Sequence, residues 1–348
     1  MTFPISFNAL AIEQPGAAVS RITRTVASLN RDEVLIRVEY ASINKMDPMM
    51  ARTNRFQLPV PYTLGFDFSG EVVAVGSESG YKVGDRVLGS SGTGGGFAEY
   101  LVTNQKRVMP RGAVPAPEAS TFGIAFMTAH ESLVLTGDIQ RHRGKTIYIA
   151  GAAGGVGHFA VQIAKLFGLK VIGSAGKQTS LDLLKKLHVD HIIDYSRQDV
   201  VREIMNLTGG RGAEVVYDST YSQASYDVSA ETVASGGEYI RLGTPEQLTA
   251  FGIQDMTSVV ERRGATLVVT DAGRYSTDPV YIAQAGKLFA GMKQGIKWYE
   301  EGKLKPEVTQ IVPFGAQQLQ EAFDAFASGS NNVGKVVVRC ALDGGGVI

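Results

Sequence analysis

The hydrophobic pattern of the chain changes near residue 145. Before that point short runs alternate between apolar and polar residues, most regularly over residues 34–40, and this period of two predicts strands with one buried face. Glycine-rich turns separate the runs. Further strands are predicted at residues 7–13, 66–76, 86–89 and 97–108. Short strands divided by turns predict a folded-over, barrel-like β-domain.

Residues 146–175 combine a strand, a glycine turn, a helix and a second strand. The apolar run at 147–150 predicts a buried strand, apolar residues at helical spacing between Val156 and Phe167 predict a helix, and 170–173 begin the next strand. In a βαβ unit of this kind the first turn binds a dinucleotide pyrophosphate.

The turn itself carries Ala152, Gly154 and Gly157 at the positions of the usual Gly-x-Gly-x-x-Gly pattern. Free backbone N–H groups and the positive end of the helix dipole favour phosphate there. The alternative is that the glycines serve only a tight turn. The predicted phosphate-binding residues are Ala153, Gly154, Gly155 and Val156.

The alternation of strands and helices continues to the C-terminus. Strands at 191–195, 214–218, 238–242 and 265–270 complete six parallel strands, the number in a doubly wound dinucleotide-binding (Rossmann) domain. A helix is predicted at 117–135 before this domain. The tail is predicted as a helix at 279–301, a strand at 310–314, a helix at 317–328 and a strand at 335–339. We therefore expect an α/β protein with a β-rich catalytic domain formed by residues 1–125 and 273–348, a Rossmann domain at 126–272, and a ligand cleft between them.

Composition narrows the possible functions. The 348 residues carry 34 basic and 34 acidic side chains, which argues against nucleic acid as a partner. Cys340 is the only cysteine, so an internal disulfide and a thiolate-built zinc site are excluded. No apolar run approaches the roughly 18 residues that span a bilayer. We expect a cytoplasmic protein without a membrane partner.

Several motifs follow one another in a familiar order. These are Pro61–Gly70, Val83–Val87, Gly96–Tyr100, Ala152–Gly157 and Gly334–Val337. The chain resembles the medium-chain dehydrogenases/reductases, and within them the zinc-free, zeta-crystallin-like quinone oxidoreductases. The resemblance implies a GroES-like catalytic domain beside the Rossmann domain, and a homodimer formed through the sixth Rossmann strand.

The resemblance also bears on the metal. Zinc-containing members of this superfamily have Gly-His-Glu where this chain has Gly65-Phe66-Asp67, and its five histidines show no ligand-like spacing. We therefore predict no metal. Without a Lewis acid to polarise a carbonyl, the acceptor should already be electrophilic, as a quinone or an α,β-unsaturated carbonyl is.

Charge near the second Rossmann strand indicates the cofactor. NAD-specific domains place an acid about 20 residues after the glycines, whereas this chain has none between Gly157 and Asp182 but carries Lys165, Lys170 and Lys177. We therefore predict NADPH. The resemblance adds Ser174, Lys177 and Tyr195 as its binding residues, although the family's usual lysine position holds Ser180. A solvated surface position is the alternative for Lys177.

The resemblance places Asn44 in the nicotinamide cleft, where its amide would bind the substrate oxygen or the ribose. A loop-capping role is the alternative. Met49 stands where several relatives have tyrosine, so an obvious general acid is missing. Tyr62 and Asp47 are the remaining candidate donors, and water is another.

By position in the fold, the resemblance adds further cofactor contacts. They are Thr128, Leu242, Gly243, Thr244, Val268, Val269, Thr270, Asn332 and Lys335. Val268 and Val269 could equally be plain core residues. The predicted function is an NADPH-dependent, zinc-free quinone reductase. The alternatives are an NADPH-dependent alkenal or enoyl reductase acting on an activated C=C bond, and an NADPH-binding structural or sensor protein with little turnover.

Overall fold

The computed structural model describes residues 3–250, 252–273, 286–329 and 333–341. The strands of these residues are β1 (Ile5–Ile12), β2 (Ser20–Val26), β3 (Glu33–Ser42), β4 (Tyr62–Thr63), β5 (Asp67–Val75), β6 (Arg86–Ser90), β7 (Tyr100–Asn104), β8 (Val108–Pro110), β9 (Thr146–Ala150), β10 (Lys170–Ala175), β11 (His191–Asp194), β12 (Ala213–Asp218), β13 (Val233–Leu242), β14 (Thr266–Thr270), β15 (Val308–Pro313) and β16 (Lys335–Arg339).

The α-helices of the described residues are α1 (Met46–Thr53), α2 (Ala116–Ala119), α3 (Met127–His130), α4 (Gly157–Leu166), α5 (Gln178–Lys186), α6 (Val200–Leu207), α7 (Gln223–Thr232), α8 (Pro245–Ala250), α9 (Thr257–Arg262), α10 (Gly286–Glu300) and α11 (Ala316–Ala327). Two π-helical turns, Phe122–Phe126 and Glu131–Thr136, flank α3. The predicted helix at 117–135 is therefore present, with wider turns at both sides of its centre.

The chain forms two compact units, residues 1–125 with 295–348 and residues 126–294. The expected domain bounds are 1–125 with 273–348 and 126–272, and the second division between the two units lies within α10. The first unit contains a seven-stranded sheet of order β15-β16-β3-β5-β6-β8, with β7 also paired to β3, and a three-stranded sheet of order β2-β1-β4. Its apolar core includes Leu10, Ile36, Phe68 and Phe97, all fully buried. The predicted β-rich domain is confirmed.

The second unit contains one parallel sheet of six strands in the order β11-β10-β9-β12-β13-β14. The strands are apolar over nearly their whole length, because helices cover both faces of such a sheet. Val216, Tyr239 and Ala230 are fully buried in its core. The predicted Rossmann domain with six parallel strands is confirmed. The order reverses beside β9, so the glycine turn that follows β9 lies at the switch point where nucleotides bind.

Helix α1 was not predicted from the sequence. It has only eight residues and contains Pro48 in its first turn, where the missing N–H group costs no helical hydrogen bond. Asn54 ends it in the left-handed conformation, with φ of 40°. Among the described residues no helix has both the length and the apolar character that a bilayer crossing requires.

Candidate functional site

The glycine turn after β9 leaves little room for side chains at two of its positions. A Cβ atom placed on Gly157 would overlap the carbonyl oxygen of Gly151, so no other residue fits there without moving the turn. Gly151 has a φ of +69°, in the left-handed region that favours glycine. The glycine of the motif at 157 therefore has a steric cause, and the conformation of Gly151 adds a glycine position that the motif did not include.

Ala152 occupies the place of the first motif glycine and is fully buried. Its methyl group faces Gly173 on β10, where an added Cβ atom would lie 3.1 Å from it. Because Gly173 has no side chain, the methyl group of Ala152 fits between the turn and β10. The departure from the motif is accommodated by packing.

Helix α4 begins without a side-chain cap from its N-cap residue. Val156 precedes the helix and makes no side-chain capping hydrogen bond. The carbonyl of Gly154 is held by the amide of His158 at 3.0 Å and lies 3.0 Å from its ring Nδ1. Ala153 is buried, and Gly154, Gly155 and Val156 are half-buried. The four predicted residues therefore form a turn that fits a pyrophosphate at a helix N-terminus.

Three predicted residues lie at the carboxyl ends of β10 and β11. Ser174 is buried, and its hydroxyl lies 2.9 Å from that of Tyr148. Lys177 is exposed at the N-cap of α5, and Tyr195 is 58% exposed. The ring of Tyr195 covers Gly176, because a Cβ atom there would overlap it. Lys177 and Tyr195 therefore border the same exposed surface, whereas Ser174 is buried below it.

The other two lysines near the second strand lie elsewhere. Lys165 is paired with Asp190 at 3.2 Å on the last turn of α4. Lys170 begins β10 and so lies at the amino edge of the sheet. Of the three lysines that suggested NADPH, only Lys177 lies at the carboxyl edge.

The carboxyl ends of β13 and β14 and the loop after β13 hold most of the remaining predicted contacts. Gly243 has a φ of +95°, and its amide donates to the carbonyl of Thr270 at 2.9 Å. The hydroxyl of Thr270 lies 2.9 Å from that of Ser132, and the hydroxyl of Thr244 accepts the amide of Gln247 at 3.3 Å. Leu242 is buried, and Thr128, Val268 and Val269 are half-buried. Asn332 lies outside the described residues.

A buried polar network links predicted residues of the first unit. The Nδ2 of Asn44 donates to Asp67 at 2.8 Å, and the Nζ of Lys335 donates to the Oδ1 of Asn44 at 2.6 Å and to the carbonyl of Ile43 at 2.8 Å. The backbone amide of Asn44 donates to Asp47 at 2.7 Å. All four polar side chains are less than a tenth exposed. Two carboxyl groups and one ammonium group therefore share a dry interior.

Burial dominates the electrostatics of this network. Desolvation raises the pKa of Asp47 to about 7, and the charge of Asp67 adds to the rise. Burial also raises the pKa of Asp67, against Lys335 and the hydrogen bonds from Ile124 and Asn44. Burial lowers the pKa of Lys335 to about 8, against the attraction of both carboxylates. Burial therefore favours the neutral form of all three groups, and the attraction between the ammonium and the carboxylates opposes it.

The network shows what Asn44, Asp47 and Tyr62 could do. Both groups of the Asn44 amide are engaged, so its orientation is fixed by Asp67 and Lys335. The Oδ2 of Asp47 accepts the Asn44 amide, whereas its Oδ1 and the Tyr62 hydroxyl are buried with no partner among the described residues. Burial beside Asp47 raises the pKa of Tyr62. Oδ1 of Asp47 is therefore the atom that can hold a proton.

Sequence reasoning missed Asp67 as a functional residue and assigned Lys335 to the cofactor. Asp67 also accepts the amide of Ile124 at 2.9 Å and the hydroxyl of Ser42 at 3.2 Å, so it is the centre of the network. The available signal was its position in Gly65-Phe66-Asp67, where zinc-containing relatives have glutamate.

Comparisons with known proteins agree with this construction. Residues 30–116 match the alcohol dehydrogenase GroES-like domain, and residues 155–279 match the zinc-binding dehydrogenase family. A quinone oxidoreductase of Pseudomonas aeruginosa is 30% identical over 76% of this chain and 80% of its own length. A 2-methylene-furan-3-one reductase of Solanum lycopersicum is 29% identical over 90% of this chain and 73% of its own length. The structure of a Coxiella burnetii quinone oxidoreductase aligns with a TM-score of 0.76 and 22% identity, covering 96% of this chain and 99% of that one.

The residues of the first unit do not fit the zinc that one of these family names implies. Protein zinc sites use imidazole, thiolate and carboxylate ligands, usually with histidine or cysteine among them, and all five histidines belong to the second unit. Cys340 is buried, with its thiol directed to the carbonyls of Gly96 and Val338. Among the described residues no group of three His, Cys, Asp or Glu side chains is arranged to hold a metal ion. The ammonium group of Lys335 is hydrogen-bonded to Asn44 and attracts the Asp67 carboxylate.

The matched domains, the six-stranded nucleotide unit and the similarity to the Pseudomonas protein together establish the family. The chain belongs to the quinone oxidoreductase family of the medium-chain dehydrogenases/reductases and is an oxidoreductase of that type.

Proposed function

We propose that this enzyme is an NADPH-dependent, zinc-independent reductase of quinones. The observation that carries the proposal is the buried network, in which the ammonium of Lys335 lies among Asn44, Asp47 and Asp67 and the described part of the chain places no set of zinc ligands around it. A side-chain set of this kind offers no Lewis acid for an unactivated carbonyl. A quinone does not need one, because hydride addition yields an aromatic hydroquinone.

Different residues of the chain would bind the cofactor and hold a proton. The bound nicotinamide cofactor supplies the hydride. The glycine turn would bind the pyrophosphate. The Nδ2 of Asn44 already donates to Asp67 and to the carbonyl of Ser42, so Asn44 would accept a hydrogen bond from a ribose hydroxyl through the second lone pair of Oδ1. Asp47 is the group whose pKa of about 7 suits proton transfer near neutrality, with Oδ1 as the atom that holds the proton.

The preference for NADPH rests on Lys177. It lies exposed at the carboxyl edge of β10 beside Tyr195, and no acid stands between Gly157 and Asp182 to hold ribose hydroxyls. We expect Lys177→Ala to raise the Kd for NADPH about tenfold while leaving the Kd for NADH unchanged. Lys170→Ala, at the amino end of β10, is the matched control. Equal affinity of the parent for both cofactors would exclude this assignment.

A second candidate is an NADPH-dependent alkenal or enoyl reductase. The tomato relative, whose name describes the reduction of an exocyclic methylene compound, supports it. The protonation of a reduced C=C bond needs an acid, and Asp47 could serve. Turnover of enals or enoyl thioesters with no turnover of quinones would favour this candidate. Tight NADPH binding without turnover of either class would favour a structural or sensor role.

We also propose a cytoplasmic homodimer that forms through β14. Among the described strands β14 pairs only with β13, so one edge of the six-stranded sheet has open backbone groups. Val268→Lys on this strand should yield a monomer by analytical ultracentrifugation, whereas Val83→Lys, at an exposed position of the first unit, should leave the dimer intact. An unchanged sedimentation coefficient in both variants would exclude this interface.

A further inference from the structure

The second unit contains a cavity at the edge of the sheet opposite to the glycine turn. It measures about 560 Å³ and is lined by residues at the amino ends of β12, β13 and β14, among them Arg211, Arg262 and Arg263. The glycine turn follows the carboxyl end of β9, and in a parallel sheet these are different edges. The cavity is therefore separate from the predicted cofactor site.

An irregularity of β13 forms one wall of this cavity. Val233 pairs with Ala213, but the next partner, Val215, pairs with Glu238, so residues 234–237 bulge out of the sheet. The bulge is anchored, because the amide of Gly236 donates to the carbonyl of Gly264 at 2.8 Å. Bulges of this kind redirect side chains and recur beside functional sites. Here the bulge places Ser235 at the cavity wall.

The cavity wall carries more positive than negative charge. Arg263 is fixed by a hydrogen bond from its Nε to the carbonyl of Val233 at 2.9 Å. Arg211 and Arg262 are exposed and form no ion pair with the described part of the chain. The carboxylate in the wall is Glu214, and it accepts the amide of Thr146 at 2.9 Å.

The position of Arg211 is the informative one. Arg262 and Arg263 lie at the end of α9, where cations complement the partial negative charge of the last carbonyls. Arg211 comes from the loop between α6 and β12. The cavity is therefore lined by guanidinium groups from two different loops and by the hydroxyl-bearing Ser235, and side chains of these types bind phosphate oxygens.

We propose that this arginine pocket, formed by Arg211, Ser235, Arg262 and Arg263, binds a small phosphate-bearing ligand. Its volume lies within the range of small-molecule sites. The ligand is a monophosphate or a diphosphate, because three guanidinium groups supply enough donors for either. This second site does not depend on the reaction that the enzyme performs.

The test is isothermal titration calorimetry of the full chain, with and without saturating NADPH, using inorganic phosphate and inorganic pyrophosphate as separate probes. One probe should bind with a Kd below about 1 mM in the presence of NADPH. Arg211→Gln and Arg262→Gln should each weaken binding about tenfold. Arg143→Gln is the matched control, because Arg143 is exposed at the same edge but does not line the pocket.

Three results would overturn the proposal. They are equal affinity of the parent and both pocket variants, the absence of saturable binding up to about 10 mM of either probe, and tighter binding of a hexaglutamate peptide than of pyrophosphate. The last result would assign the surface to an acidic polypeptide. Both substituted side chains are exposed, so unchanged melting temperatures will separate loss of binding from loss of folding.

Discussion

The glycine turn and the buried network are constrained by different physical effects. The turn consists largely of residues with small side chains or none, and its constraint is steric, because a Cβ atom on Gly157 would overlap the Gly151 carbonyl. The network encloses Asp47, Asp67 and Lys335 in the interior, and its constraint is electrostatic. The first region is sensitive to added volume, and the second to any change of charge. Substitutions of each kind can therefore separate the two.

Removal of the Lys335 ammonium should produce the largest effect. Lys335→Met leaves two buried carboxyl groups without their cation, and breaking a buried pair in this way costs about 3–5 kcal/mol of unfolding free energy. Urea unfolding at neutral pH measures the loss. Asp67→Asn in the same chain should restore part of it. Lys303→Met, at an exposed ion pair, is the control and should change stability by less than about 1 kcal/mol. Equal stability of Lys335→Met and the parent would refute the charged network.

Addition of one methyl group at the turn should abolish cofactor binding. Gly157→Ala forces the Gly151 carbonyl away, and we expect the Kd for NADPH to rise about 100-fold or more. Fluorescence titration on protein shown to be folded by circular dichroism measures this change. Gly286→Ala, where an added Cβ meets nothing within 4 Å, should leave the Kd unaltered. Normal binding by the Gly157→Ala variant would show that the turn is not the pyrophosphate site.

The pH dependence of stability should report Asp47. Its pKa is raised in the folded state to about 7, so the folded protein binds more protons than the unfolded chain between about pH 4 and pH 7. Unfolding free energy therefore falls as pH rises through this window, by on the order of 2 kcal/mol between pH 5 and pH 7. Asp47→Asn should lack this contribution. Parallel pH profiles of parent and variant would contradict the shift.

The smallest effect is expected where the motif departs from the usual glycine. Ala152→Gly removes a buried methyl group that packs on Gly173 and adds backbone freedom. We expect a loss of about 1 kcal/mol in unfolding free energy and less than a threefold change in the Kd for NADPH. A large gain in affinity would mean that Ala152 obstructs the cofactor.

The same contrast explains what the sequence could predict. The six parallel strands and the glycine turn follow from local periodicity and from residues close in sequence, and both were predicted. The network could not be assembled in this way, because Lys335 and Asn44 are 291 residues apart and meet only when β16 pairs with β3. Asn44, Asp47 and Lys335 were each singled out, but in separate roles.

Lysines near the second Rossmann strand show a further limit of sequence reasoning. Lys165, Lys170 and Lys177 are close in sequence, but they lie at the end of α4, at the start of β10 and after the end of β10. Only the structure shows that Lys165 is paired with Asp190 and that Lys170 begins the strand. The arginine pocket was likewise not predicted, since its members are up to 52 residues apart (211 to 263) and meet only at the amino edge of the folded sheet.

The most direct test of the proposed function is steady-state oxidation of NADPH by the full chain against a panel of a quinone, an enal, an enoyl thioester and a simple ketone. We expect kcat/KM for the quinone to exceed that for the ketone by roughly 10³ or more, with no loss of activity on chelation of metals. Turnover of enals or enoyl thioesters without quinones, or stoichiometric zinc lost together with activity, would contradict this account.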